Sequence, residues 1–391
     1  MRIALYSHDA LGLGHLRRNL AIAGALTSDG AATLLVTGLR EAGAFPSPAG
    51  VDYLTLPGYA KDSEGEYGPR FLNVTAQRLK ALRAATMRAA LLAFAPDVLI
   101  VDKHPLGLNG ELVPALDVLR EQGTRCVLGL RDVLDRADLV RREWVAAGSE
   151  QTVRERYSEV WIYGDPRVYD LVEECSLGDA VRERVRYTGY LGRDGGAYPA
   201  SSSPWVDASS GRRLALCMVG GGEDGYALAE AFARADMPPA TDGMVVAGPL
   251  MPAAERRLLR RRAGRYVEVV DFLASPDRVL DRADVVVAMG GYNTVCEVLA
   301  REKRALIVPR VAPRLEQLIR SQCLERRGLV DVLHPVGADA STIGSWLAPG
   351  PREVRPRASI DLDGLRRLPS LLDRVLHDTV AGEMAAVDHA A

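Results

Sequence analysis

The chain has 391 residues, 48% apolar and 26% charged, with a formal net charge of −2. At roughly 150 residues per domain this fits two globular domains, each long enough to bury a core, and excludes collagen, coiled-coil and disulfide-scaffold classes. No basic field draws nucleic acid, no apolar run nears the roughly 18 residues of a membrane span, and five cysteines without close pairs fit a reducing cytoplasm.

Arg2–Ser7 opens the chain as a strand, too short and too strand-like for a signal peptide. Further apolar runs predict strands at Thr33–Thr37, Asp97–Asp102, Arg125–Leu130, Glu159–Tyr163 and Val185–Thr188. Amphipathic stretches between them predict helices over Leu16–Leu26, Phe71–Phe94, Leu112–Glu121 and Pro166–Glu174. Leu72, Leu79, Leu82, Met87 and Leu91 form the apolar stripe of the longest helix. Lys61–Arg70 reads as a polar, mobile loop or as plain disorder. Arg193–Gly211 is rich in Gly, Ser and Pro and reads as a linker.

The alternation then restarts, with strands at Leu214–Val219, Gly243–Ala247, Tyr266–Val270, Asp284–Ala288, Ala305–Val308 and Leu329–Val332 and helices at Ala227–Arg234, Thr294–Arg301 and Leu315–Arg326. Asp363–Asp378 predicts a last helix. The pattern is two doubly wound, Rossmann-like α/β domains facing across a cleft: 1–192, a linker 193–211, 212–360, a terminal helix 361–380 and a tail 381–391. Ligands on such sheets sit beyond the carboxyl ends of the strands, so the strand-to-loop junctions are the places to search.

Four junctions stand out. After the first strand, Gly12 and Gly14 allow a tight turn into a helix near His15, with Arg17 where a dinucleotide fingerprint wants glycine. A helix N-terminus disfavours the imidazolium, making His15 a neutral base, or else a first-turn histidine bonded to nearby backbone. Asp102-Lys103-His104 ends another strand, as catalytic groups or as solvated loop charges. Gly220-Gly221-Gly222 between a strand and a helix suits either an anion or only a tight turn; without a following Lys-Ser/Thr it is no P-loop.

The richest junction is Gly290-Gly291-Tyr292-Asn293-Thr294-Val-Cys-Glu297, a second phosphate seat, where Thr294 and Glu297 also have capping-box spacing. Beyond it, Glu316 and Gln317 begin a helix after Pro309-Arg310. They are placed to bind hydroxyls or are an ordinary polar helix start. Asp361-Leu-Asp363 matches a metal-binding D-x-D only literally, and six scattered histidines show no zinc spacing, so no metal is expected. The basic cluster Arg256–Arg262 reads as a solvated helix face or a contact to an acidic membrane surface.

Gly290-Gly-Tyr-Asn-Thr-Val-Cys-Glu297, with Pro309-Arg310 and Glu316-Gln317 beyond, resembles the donor half of GT-B glycosyltransferases, most closely family 28, the family of MurG. The Gly12-Leu-Gly14-His15 turn resembles that family's N-terminal loop. The resemblance implies that Glu297 holds ribose hydroxyls, that Gly221, Gly222, Gly291 and Asn293 line the diphosphate beside Gly290 and Thr294, and that Glu316 and Gln317 hold the sugar. It implies His15 as base, with Asp102 and His104 positioning the acceptor or assisting it. Met289 and Gly222 depart from the family pattern, which usually has a polar residue and a serine there.

The implied activity is metal-independent, inverting transfer of a hexose-type sugar from a nucleotide diphosphate, UDP favoured, to a hydroxyl on a small molecule, glycan or lipid-linked acceptor. Glycine-rich helix N-termini would stabilise the leaving diphosphate without a metal or other cofactor. The rival readings are a nucleotide-sugar 2-epimerase or hydrolase on the same fold and a non-catalytic nucleotide-binding scaffold.

Overall fold

The computed structural model describes residues 1–7, 13–27, 30–44, 47–61, 67–192, 211–273, 275–348 and 359–377. Gly12, linker residues 193–210 and the tail 381–391 lie outside the described residues.

The first half forms a seven-stranded sheet from β1 (Arg2–Tyr6), β2 (Ala32–Thr37), β3 (Val51–Thr55), β6 (Val98–Asp102), β7 (Arg125–Arg131), β8 (Glu159–Tyr163) and β9 (Val185–Tyr187). Their order is β3-β2-β1-β6-β7-β8-β9 and every pair is parallel. A small antiparallel hairpin of β4 (Tyr59–Lys61) and β5 (Tyr67–Pro69) stands apart. The second half gives a six-stranded parallel sheet from β10 (Arg213–Met218), β11 (Thr241–Val246), β12 (Val267–Val270), β13 (Val285–Ala288), β14 (Arg304–Ile307) and β15 (Asp331–Val332), ordered β12-β11-β10-β13-β14-β15. Strands such as Val98–Asp102 and Val285–Ala288 are buried along their whole length, as central strands covered by helices on both faces must be.

The helices in chain order are α1 (Gly14–Thr27), α2 (Ala76–Phe94), α3 (Val113–Glu121), α4 (Ala137–Ala146), α5 (Ser149–Arg156), α6 (Leu171–Cys175) and α7 (Gly178–Arg184), then α8 (Tyr226–Ala233), α9 (Ala253–Arg262), α10 (Asp277–Arg282), α11 (Tyr292–Ala300), α12 (Glu316–Arg326), α13 (Ala340–Leu347) and α14 (Gly364–His377). Thr75 caps α2 by accepting from the Arg78 N–H at 3.2 Å. Its inward face is Leu79, Arg83, Met87 and Leu91; Leu82 is instead exposed, and Leu72 precedes the helix and is exposed too. Arg83 takes an inward position because the buried Glu111 receives it bidentately at 2.6 and 2.7 Å. Tyr6 and Tyr59 donate to the same carboxylate at 2.6 and 3.0 Å, and this network pins the β4–β5 hairpin to the first domain.

The main apolar core runs through the first domain and continues onto one face of the second sheet, while the other face of that sheet has its own cluster. The terminal helix α14 returns to the first domain: Asp363 bridges Leu191, Arg374 reaches Glu159 at 3.0 Å, and Leu368, Leu371, Leu372 and Val375 are buried. Among the described residues no helix is long and apolar enough to cross a membrane. All five cysteines are buried and none forms a disulfide.

Candidate active site between the two sheets

Each sheet reverses its strand order once, between β1 and β6 in the first and between β10 and β13 in the second. Parallel strands of opposite winding leave a crevice at their carboxyl ends. The register puts Tyr6 beside Val101 and Met218 beside Ala288. The segment leading to His15 therefore emerges next to Asp102, and Gly220–Gly222 emerges next to Met289–Gly291. A cleft of about 310 Å³ lies between these four junctions.

On the first-domain side, His15 Nδ1 lies 2.5 Å from Asp102 Oδ2. An acceptor-only carboxylate fixes the proton on Nδ1, so Nε2 is the basic nitrogen. Arg18, one turn along α1, donates to both oxygens of Asp102 at 2.6 Å. Burial holds the His15 pKa down to about 4, with Arg18 and Arg131 adding to it against the pull of Asp102. Burial alone would raise the Asp102 carboxyl, but Arg18 and His15 outweigh it and keep it well below the ordinary carboxylate range. At neutral pH the pair is a carboxylate behind a neutral imidazole, the arrangement of a general base with its orienting acid.

On the second-domain side, Gly220 and Gly222 have φ of 64° and 93°, and a Cβ on Gly222 would sit 2.3 Å from the Ala247 carbonyl oxygen. Only glycine fits there. Gly221 lines the cleft, as does Gly291, the N-cap of α11. Asn293 lines it too and donates across it to the Gly14 carbonyl at 2.9 Å. Glu316 and Gln317 open α12 into the cleft. Arg310 donates to the Glu316 carboxylate at 2.5 Å, and the Arg310 N–H to Gln317 Oε1 at 3.0 Å. Burial would raise Glu316, but Arg131, Arg310 and Arg320 hold it low.

Several expectations change. The capping-box reading of Thr294 and Glu297 fails, because α11 starts earlier, at Tyr292, and Glu297 lies mid-helix. Thr294 lines the cleft; Glu297 is buried behind it, held by Arg17 from the opposite domain at 2.6 Å. Gly290 does not line the cleft and is packed against α12, where its Cβ would meet Ser321 Oγ at 2.7 Å. His104 does not line the cleft; it sits in a turn where its N–H bonds the Asp102 carbonyl, and burial, then Lys103, keep it neutral. The Lys61–Arg70 loop is a hairpin at its ends, with Lys61 and Tyr67 lining the cleft; residues 62–66 lie outside the described ones. Asp361 and Asp363 are engaged by Arg367 and Arg366, and Arg256 and Arg260 by Asp271.

Sequence reasoning gave no role to Arg320, Arg314 or Arg131. Arg320 of α12 makes a fully buried ion pair with Asp132, which follows β7, and also donates to the Gly290 carbonyl at 3.1 Å. Arg314 reaches Asp135 at 3.0 Å and Glu143 at 2.8 Å. Arg131 ends β7 and lines the cleft; its place at a strand's carboxyl end was a usable signal.

No protein-family model matches the chain, and no curated protein does. Solved structures do match along nearly its whole length. The glycosyltransferase SnogD from Streptomyces nogalater is 17% identical with a TM-score of 0.59, over 99% of both chains. MurG from Acinetobacter baumannii is 14% identical at 0.50, over 88% of this chain and 89% of that one. A protein of Listeria monocytogenes described as a putative UDP-N-acetylglucosamine 2-epimerase is 11% identical at 0.56, over 99% and 97%. At these identities the likeness establishes the architecture: two Rossmann-like domains in the GT-B arrangement.

Proposed function

We propose that the protein is a glycosyltransferase that moves a hexose-type sugar from a nucleoside diphosphate, UDP favoured, to a hydroxyl acceptor, inverting the anomeric centre and using no metal. The observation that carries this reading is the His15–Asp102 pair on the first sheet, facing the glycine loops of the second across one cleft. His15 Nε2 takes the acceptor proton as the hydroxyl attacks the anomeric carbon. Asp102 holds the tautomer and stabilises the imidazolium that forms. The N–H groups at Gly220–Gly222 and the start of α11 stabilise the departing diphosphate. Direct attack from the face opposite the leaving group inverts the centre.

The test begins with melting curves in UDP, dTDP, GDP, ADP and CDP, each with EDTA and with Mg²⁺. A nucleotide at 100 times its Kd adds about 2.7 kcal/mol. One diphosphate should shift the melt, equally in EDTA, and not in Glu297→Ala. Turnover with the matching sugar should then fall about 10²–10⁴-fold in His15→Ala and in Asp102→Asn, with the nucleotide shift intact. No shift with any diphosphate sinks the donor site, and His15→Ala activity within twofold sinks the base. The epimerase likeness supports a second reading; consumption of nucleotide sugar at catalytic rates without an acceptor favours it.

A further inference from the structure

Five arginines that line the cleft have carboxylate partners: Arg17 has Glu297, Arg18 has Asp102, Arg310 has Glu316, Arg314 has Asp135 and Arg320 has Asp132. Of the other cations lining it, Lys61 lies over the Tyr67 ring, whereas Lys103 and Arg131 form no ion pair among the described residues. They sit together. Asp102 at the end of β6 is in register with Gly129 of β7, the Lys103 N–H bonds the Gly129 carbonyl at 2.8 Å, and Arg131 is the last residue of β7. Lys103 adopts φ of 68°, a left-handed conformation that side chains other than glycine rarely take. The Arg131 Nε is buried and has no hydrogen-bond partner among the described residues.

A buried donor left unsatisfied, beside a second unpaired cation and next to the general base, is an arrangement that an anionic ligand completes. We propose that Lys103 and Arg131 bind an anionic group, a carboxylate or a phosphate, carried by the acceptor beside the hydroxyl that His15 deprotonates. Both cations stand on the same domain as His15 and Asp102, opposite the glycine loops, which puts the charge on the acceptor rather than on the leaving group. Cationic crowding shows in both: burial, with the charges of Arg131 and Arg314 adding, lowers Lys103 to about 8, and burial, with Arg18 and then Arg320 adding, lowers Arg131 to about 10. A bound anion relieves that crowding. The assignment to the acceptor rests on the glycosyltransferase reading; the anion site does not.

The full chain is first saturated with the nucleoside diphosphate that stabilises it most, then titrated by calorimetry with inorganic phosphate, glucuronate and neutral glucose. Wild type is compared with Lys103→Met, Arg131→Gln and the charge-preserving Arg131→Lys. The two anions should bind wild type at least about tenfold tighter than glucose, the margin of one charge-assisted hydrogen bond. Lys103→Met and Arg131→Gln should abolish the preference, Arg131→Lys should keep part of it, and all three should hold the nucleotide as wild type does. No preference in wild type, or one undiminished in the variants, overturns the site. Weaker nucleotide binding in the variants assigns the cations to the donor diphosphate and overturns it as well. A tenfold preference for UDP-glucuronate over UDP-glucose that disappears in the variants moves the anion to the transferred sugar and overturns the acceptor assignment. If no nucleotide binds wild type, the glycosyltransferase reading fails by itself, and the same titrations without nucleotide still decide the anion site.

Discussion

The ion pair between Arg320 and Asp132 joins the domains where solvent does not reach: the two side chains are 0% and 1% exposed. Arg320 Nε donates to both Asp132 oxygens at 3.0 and 2.8 Å and Nη2 to one of them at 2.6 Å, while Tyr190 donates to the same carboxylate at 2.9 Å. Asp132→Ala strands a guanidinium and a tyrosine hydroxyl in the interface. Removing one partner of such a pair costs about 3–5 kcal/mol, because the remaining charge is left uncompensated. For a cooperative unit of about 150–250 residues, at roughly 2–4 °C per kcal/mol, the melt should fall by about 6–20 °C. Arg320→Ala should cost a similar amount. The double variant Asp132→Leu/Arg320→Met, which removes both charges and keeps volume, should regain most of the loss, with a coupling of about 2 kcal/mol or more in the cycle. Melting followed by calorimetry and by near-ultraviolet circular dichroism is the assay. Single variants within about 2 °C of wild type, or losses that simply add in the double variant, would refute the claim that this pair is a buried clamp between the domains.

Two further predictions follow from the same geometry. His15 titrates near 4 in the folded chain against 6.5 unfolded. The unfolded state therefore binds the proton first as pH falls, and folding stability drops by about 1.4 kcal/mol per pH unit between 6.5 and 4, about 3 kcal/mol in all. Denaturant titrations of His15→Gln should lack that part of the acid loss, and parallel curves for the two proteins would refute the lowered pKa. Gly222→Ala must place its Cβ 2.3 Å from a carbonyl oxygen at a φ of 93°. It should cost about 2 kcal/mol or more through backbone strain and remove the nucleotide shift; an unchanged melt would show that the loop is not held as described.

The doubly wound architecture was legible because its evidence is local. Runs such as Val98–Asp102 and Glu159–Tyr163 are apolar at four of their five buried positions, and the glycines at the strand ends mark where the chain must turn tightly. What sequence reasoning missed depends on partners far along the chain. Lys61–Arg70 is polar enough to read as a loop, yet Tyr59 docks onto Glu111, 52 residues away, and makes a hairpin of its ends. Short helices such as Ser149–Arg156 carry little apolar periodicity. The site shows the same division: the glycine loops and His15 were visible as motifs, whereas Arg18 and Arg320 find their carboxylates 84 and 188 residues away. Glu297 looked like a helix cap because its spacing from Thr294 fits one, but spacing says nothing about where the helix begins.

The contacts that cross the cleft are of two kinds, and the difference bears on how a donor enters. Arg320–Asp132 is sealed, whereas Arg17–Glu297 joins a 19% exposed guanidinium to a carboxylate only 3% exposed. Glu297 cannot simply be stripped of Arg17, since an unpaired buried carboxylate is strongly disfavoured. A ligand that displaces Arg17 must bring donors of its own. Two neighbouring ribose hydroxyls supply two hydrogen bonds to a charged group, each contributing about 1.5–3 kcal/mol, which is the scale of what the arginine gives up. Glu297 Oε2, buried with no partner among the described residues, already awaits one of them. An inorganic diphosphate offers the glycine loops the same charge but gives Glu297 nothing. On the donor-site reading, the Arg17–Glu297 contact therefore makes the cleft favour a nucleoside diphosphate over inorganic diphosphate.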